Sequence, residues 1–371
     1  MKSYDRTEPG TSGSGSAPVR WARLANIPPN WFASVMGTGI LATSLLGLPA
    51  QVPGQRMVAT AVWLLATLML VVVTAATAGH WLQHRERARA HHRHPVVAHF
   101  YGAPPMAVLT VAFGMLLLGP DLVGTGPAVA VAGVLWVAGT VGGLVTAVAV
   151  PYLCFTEPRA DRVPFAGWLM PVVPPMVSAT GGGLLVPHLP AGELRTTLFL
   201  LSWSMFGLSL FASVVIITQV WGALMRDGAG PQPMVPTLWI VLGPLGQSIT
   251  AAGTLGGVAD QAVAPGLAQL FAGVGVVYGV VTLGFAVLWT AVALLVTLRS
   301  VRAGLPFALT WWSFTFPVGT CVTGRSVLWR ETSLTVFAVL AVAYFLGLLV
   351  GWAQAATRSV HGTFVTGRLL A

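Results

Sequence analysis

Long apolar runs separated by short polar stretches recur along almost the whole chain. From Pro28 onward ten of them approach or exceed the ~20 residues that a membrane-spanning helix needs. Their limits are 29–48, 57–79, 103–119, 128–150, 164–186, 196–222, 235–258, 266–297, 308–328 and 333–355. None alternates polar and apolar residues with the period of two that marks a transmembrane β-barrel. The joining stretches are mostly short, which predicts an antiparallel series of helical hairpins. The expected fold is an all-α polytopic membrane protein: a disordered tail over residues 1–26, a ten-helix membrane domain over 27–357, and a second tail over 358–371.

The spans are of two kinds. The odd-numbered ones are rich in small residues and carry proline: Pro28-Pro29-Asn30-Trp31-Phe32-Ala33-Ser34, Pro104-Pro105-Met106-Ala107, Pro174-Pro175-Met176-Val177-Ser178, Gly243-Pro244-Leu245-Gly246-Gln247 and Trp311-Trp312-Ser313-Phe314-Thr315-Phe316-Pro317. A glycine follows each proline at a similar interval, as Gly37, Gly114, Gly181, Gly253 and Gly324. The even spans are bulky, as in Val62-Trp63-Leu64-Leu65 and Phe337-Ala338-Val339-Leu340, and internal proline is expected only in their odd partners. Proline removes an i→i−4 hydrogen bond, so Pro105, Pro175, Pro244 and Pro317 are expected to kink their helices. A carbonyl freed at membrane depth is tolerated only against protein or water. Five small, bent helices alternating with five bulky ones predict five hairpins in a ring around a central pore, small residues inward.

Helical spacing then nominates a lining. Ser34 and Thr38 join Asn30 on one face of the first span; Gln247, Thr250 and Thr254 share a face of the seventh; Phe316, Thr320 and Thr323 share one of the ninth. Thr110 and Ser178 come from the third and fifth. For any one of these hydroxyls, a bond back to its own helix is an equally good account.

Composition sharpens this picture. Only 8% of residues are charged and 55% are hydrophobic, against about 25% charged in soluble domains. The net charge of +9 does not point to nucleic acid, because the basic residues sit in the short joins. Fifteen of the nineteen fall on one side of the predicted membrane, leaving Arg56, Arg195, Arg325 and Arg330 on the other. That asymmetry predicts two cytoplasmic termini in a plasma membrane, the inner membrane of a bacterium. No Asp, Glu, Lys or Arg is expected near the middle of a span, which argues against a proton relay and for passive flux. A neutral, hydroxyl-lined pore with cations at its mouths suits small anions. Arg325 is placed toward one end of the ninth span, half a turn away from the face of Phe316.

Other chemistry is thin. Cys154 and Cys321 are too few for a disulfide framework. His80, His84, His91, His92, His94 and His99 gather around the second join and read as part of a solvated basic loop; no metal and no cofactor is expected. Gly37-Thr38-Gly39 lacks the context of a dinucleotide site. The joins leave no room for a soluble catalytic domain, so the chain is not expected to be an enzyme.

The stretches Asn30–Ile40, His94-Pro95, Phe100–Met106 and Trp311–Pro317 resemble the tellurite-resistance/dicarboxylate transporter family, of the voltage-dependent anion channel/malic acid transport superfamily. That family includes bacterial tellurite-resistance proteins, plant slow anion channels, fungal malate permeases and fungal sulfite efflux pumps. The resemblance implies a homotrimer with a pore in each protomer, odd helices lining it, and a phenylalanine of the ninth blocking it. It places that gate at Phe316, with Phe314 as the second choice. The expected permeants are chloride, nitrate, sulfite or dicarboxylate, carried by a channel or facilitator, or else by a secondary carrier for C4-dicarboxylates, sulfite efflux or tellurite resistance.

Overall fold

The computed structural model describes residues 24–157, 163–367 and 369. Most of the expected N-terminal tail lies outside the described residues, as do Arg159, Arg162 and Arg368 from the charge count and the last two residues of the C-terminal tail. Every regular element among the described residues is helical. The ten longest α-helices are α1 (Phe32–Gly47), α2 (Gln55–Gln83), α3 (Ala103–Leu118), α4 (Thr125–Thr156) and α5 (Pro174–Leu185), followed by α6 (Glu193–Asp227), α7 (Leu242–Gly257), α8 (Pro265–Arg302), α9 (Phe316–Thr332) and α10 (Thr335–Val360). Helical backbone continues past the expected domain end at 357, through α10 and a π turn at His361–Val365.

The prolines do something other than bend running helices. Each odd span is led by a 3-10 segment: Pro29–Trp31, Val97–Gly102, Ala166–Leu169, Gln232–Val241 and Leu309–Phe314. Pro105, Pro175, Pro244 and Pro317 all fall in the first turn of the α-helix that follows. There a backbone N–H has no intrahelical partner to lose, so proline starts these helices rather than kinking them. The expectation that internal proline keeps to odd spans also fails once, since α4 runs through Pro151. Seven helical stretches among the described residues are long and apolar enough to cross a membrane by themselves. The spans around α1, α5 and α9 contain α-helices of 16, 12 and 17 residues and complete their length with the neighbouring turns.

Packing arranges the helices in two rings. Among the odd helices α1 packs on α3, α3 on α5, α5 on α7, α7 on α9, and α9 closes back on α1. Each even helix lies outside, against its hairpin partner and the next odd helix: α2 on α1 and α3, then α4, α6, α8 and finally α10 on α9 and α1. The stretch containing α7 is 83% buried, whereas α2 is 17% buried. Large apolar side chains such as Val134, Phe211, Val281 and Val350 on the outer helices face away from the protein, as a lipid-facing surface requires. The chain is an all-α polytopic membrane protein.

Ring closure depends on small residues. A Cβ built on Gly246 of α7 would stand 2.5 Å from the backbone N of Cys321 and from the carbonyl carbon of Thr320 on α9. Gly319 of α9 is met in the same way by the Ile40 side chain of α1, at 2.4 Å. Thr320 uses this proximity, its hydroxyl lying 3.3 Å from the carbonyls of Leu242 and Gly243.

The histidine-rich join is more ordered than a solvated loop. Arg85–Arg93 forms a helix at the end of α2. His80 is fully buried with Nδ1 2.8 Å from the Leu24 carbonyl, and His91 stacks on it at 5.2 Å between ring centroids. His92 packs on Tyr101 at 4.5 Å. No group among the described residues is arranged to hold a metal ion. Burial, with the neighbouring His80, His94 and His92 adding to it, holds the pKa of His91 below its ordinary value.

Two outcomes are expected. Gly246→Val should destabilise the domain by about 1–3 kcal/mol through overpacking, lowering its thermal midpoint in detergent, whereas Gly284→Ala, with open space around its Cβ, should leave the midpoint in place. The depressed His91 pKa means that the unfolded join binds a proton more readily than the folded one. The stability that neutral His91 contributes is present above the ordinary histidine pKa of about 6.5 and lost as pH falls through the lower folded value. Protection factors of the amides over residues 85–93, with the intrinsic exchange rate divided out, should fall on acidification through that window, and His91→Gln should weaken that dependence.

Candidate functional site

The inner ring encloses a cavity of about 500 Å³ to which every odd helix contributes: Ile40 and Thr43 from α1, Thr110 and Phe113 from α3, Val177 and Thr180 from α5, Gln247, Thr250 and Thr254 from α7, and Phe316, Thr323 and Ser326 from α9. It reaches the α1–α2 and α9–α10 joins, where Gln51, Gln55, Arg56 and Arg330 line it. At its inner end is Phe316, the first residue of α9, 5% exposed. Beyond the phenyl ring lies a second cavity of about 30 Å³, lined by Met36, Met106, Val173, Pro244 and Pro317 among others. That is room for one or two waters, since one needs about 10–15 Å³. Among the described residues, Phe316 is the one that borders both cavities.

The backbone that carries Phe316 is held from several sides. The 3-10 turn Leu309–Phe314 is fixed by Trp312, whose indole N–H donates to the Ser359 hydroxyl at 3.0 Å, and by Trp311, which donates to the Pro306 carbonyl at 3.0 Å. The Arg358 guanidinium lies 4.6 Å from the Trp311 ring. Thr315, at the helix N-cap, donates to the Trp312 carbonyl at 2.6 Å.

The predicted lining is divided. Thr110, Gln247, Thr250 and Thr254 reach the cavity, and so does Thr323. Ser34, Thr38, Ser178 and Thr320 do not line it. Ser34 donates to the Trp31 carbonyl, Thr38 accepts from the Trp352 indole of α10, Ser178 accepts from Thr140 of α4, and Thr320 faces the start of α7. Phe314 also points elsewhere, packed edge-on to Trp239 at 5.6 Å and Trp311 at 5.7 Å. Thr43, Thr180, Ser326, Gln51, Gln55 and Arg56 join the lining without having been singled out in the sequence. Thr180 could have been found, because it stands two residues beyond Ser178 in the same proline-led stretch.

Much of the wall's hydrogen-bonding capacity is already used. Thr110 donates to the Met106 carbonyl at 2.8 Å, Thr250 is 3.0 Å from the Gly246 carbonyl and 2.8 Å from the Thr323 hydroxyl, and the Gln247 amide donates to Thr180 at 2.7 Å. At the mouth Arg56 pairs with Asp121, which lowers the carboxyl's pKa.

The expectation of uncharged spans needs correction. Arg325 is fully buried at the tenth of the 17 residues of α9. The apolar run of the ninth span stops at 328, which put Arg325 near its end, but the helix continues to Thr332. Because a guanidinium does not exchange protons in proteins, its presence adds nothing in favour of a proton relay.

Comparison with known proteins agrees with this architecture. An uncharacterised transporter of Methanocaldococcus jannaschii is 28% identical over 333 residues, covering 89% of this chain and 91% of its own length. The sulfite efflux pump of Arthroderma otae is 26% identical over 348 residues, 92% of each chain. That of Trichophyton rubrum is 24% identical and covers 90% of this chain and 89% of its own. The family profile described as SLAC1, voltage-dependent anion channel, matches residues 26–360, and the chain therefore belongs to the SLAC1 family of anion transporters.

Proposed function

We propose that the protein is an anion channel or facilitator, that the cavity between the odd helices is its conduction path, and that the Phe316 ring is the gate. The observation that carries this reading is the position of Phe316 between the two cavities. A phenyl ring across a narrow apolar constriction excludes water and ions, and a rotamer change admits them. The polarity of the ring supports anions over cations. All five odd helices run in the same direction, so their N-terminal ends gather on the narrow side, and helix N-termini carry partial positive charge. In this reading both termini are cytoplasmic in a plasma membrane, no enzymatic step is involved, and the outer helices meet lipid or, in a homotrimer, neighbouring protomers.

A second reading, a secondary carrier exporting sulfite, is favoured by one observation: curated relatives over most of the chain are named sulfite efflux pumps. Flux that a pH gradient drives uphill would select the carrier; ohmic currents select the channel.

Purified protein in planar bilayers should pass little chloride, nitrate or sulfite current, and Phe316→Ala should raise it by at least about tenfold by opening the constriction. Phe314→Ala should not. Unchanged conductance in correctly folded Phe316→Ala would remove Phe316 from the path.

A further inference from the structure

Arg325 is a charged side chain fully buried in the membrane domain with no counterion among the described residues. One guanidinium N–H₂ donates to the Cys321 carbonyl at 2.9 Å, and the group lies face-on to the Tyr344 ring of α10, 3.7 Å from its centroid. Its Nε and Nη2 have no hydrogen-bond partner. Burying a cation without a carboxylate is expensive, and an apolar side chain of similar volume commonly packs as well or better. The contacts with Cys321 and Tyr344 explain where the group rests. They do not explain why a positive charge is kept there.

The geometry relative to the cavity offers a reason. Thr323, Ser326, Val327 and Arg330 of α9 line the cavity. At 100° per residue Arg325 projects from the opposite side of the same helix, toward α10, so the charge stands one helix thickness behind the wall. Several donors of the wall are already used, since the hydroxyls of Thr110 and Thr250 and one amide N–H of Gln247 are committed to protein acceptors, while the Ser326 hydroxyl is left without a partner. The cations at the mouth are compensated or exposed to screening: Arg56 pairs with Asp121, and Arg330 is followed by Glu331. Salt screens such charges within about 8 Å at physiological ionic strength, but reaches a buried charge far less.

We propose that Arg325 is a specificity-determining residue: its uncompensated charge, acting through α9 without contact with the permeant ion, sets the positive potential that makes the cavity favour small anions over cations. The inference rests on the reading of the cavity as the conduction path.

The test is the reversal potential of the full chain in planar bilayers under a potassium chloride gradient, in the Phe316→Ala background so that current is measurable. Phe316→Ala alone should be chloride-selective. Adding Arg325→Gln should lower the chloride-to-potassium permeability ratio by about tenfold, the order expected for one charge acting at helix-thickness distance in a medium of intermediate dielectric. Arg325→Lys should retain the ratio. Should Arg325→Gln fail to fold, Tyr344→Glu keeps the arginine and sets a carboxylate beside it, and is expected to lower the ratio in the same direction. A role confined to packing would change yield or thermal stability and leave the reversal potential in place, and that result would overturn the inference alone. Absence of current from Phe316→Ala would overturn both the inference and the reading of the path.

Discussion

Close backbone approach between the odd helices is the constraint on which the rest of the architecture depends. Where α7 meets α9, there is no room for a Cβ at Gly246, and where α9 meets α1 the Ile40 side chain fills the space beside Gly319. Lipid tails are as apolar as leucine, so helices in a bilayer gain by fitting closely rather than by hiding apolar surface. Once small residues are assigned to the inner ring, the bulky ones have only the outer layer to occupy. Val134, Phe211 and Val350 do so. Five helices in contact around an axis leave a gap along it, and that gap is the cavity. No residue had to be dedicated to hollowing it out.

The same ring explains why the narrow end is where it is. The five α-segments begin at Phe32, Ala103, Pro174, Leu242 and Phe316, each after a 3-10 lead. With prolines in the first turns of the last four, fewer backbone N–H groups are left unsatisfied at these starts than in an ordinary helix. The apolar residues beside them, Met36, Met106 and Val173, fill the space that remains, and the second cavity shrinks to about 30 Å³. The Phe316 ring stands between that small space and the larger cavity.

Much of this was legible in the sequence, and the exceptions share causes. The division into small, proline-led and bulky spans is a property of composition, and it survived folding. Phe316 stands at a helix start, beside Pro317, and borders both cavities. Ser34, Thr38, Ser178 and Thr320 were misassigned for a different reason. Spacing of i, i+4 and i+7 groups residues on one face of a helix, but it does not say how that helix is rotated about its axis. In α1 the rotation turns Thr38 toward Trp352, and in α9 it turns Thr320 toward α7 while Thr323 still reaches the cavity. The proline role was misjudged because a 3-10 lead and an α-helix make one uninterrupted apolar run in sequence. Arg325 was hidden by a related effect, since hydropathy ends a span at the last apolar residue and helix geometry does not.

One helix, α9, thus carries two separable devices. In the proposed reading Phe316 acts by steric and dewetting exclusion at the first turn, and its phenyl ring brings no net charge. Arg325, nine residues on, brings charge and touches no part of the cavity. A permeation barrier made of an apolar ring can be opened or closed without altering the potential along the path. A potential set from behind the wall can in turn discriminate by charge without binding the ion, so it does not slow its exit. Bidentate guanidinium contacts hold anions strongly, and an arginine facing the lumen would trade conduction for affinity. In the proposed reading, placing this cation on the far side of the helix keeps an electrostatic preference without adding a guanidinium to the lining beyond Arg56 and Arg330 at the mouth. If the cavity is the conduction path, with several of its hydroxyls already bonded to protein, that arrangement combines selectivity with weak binding.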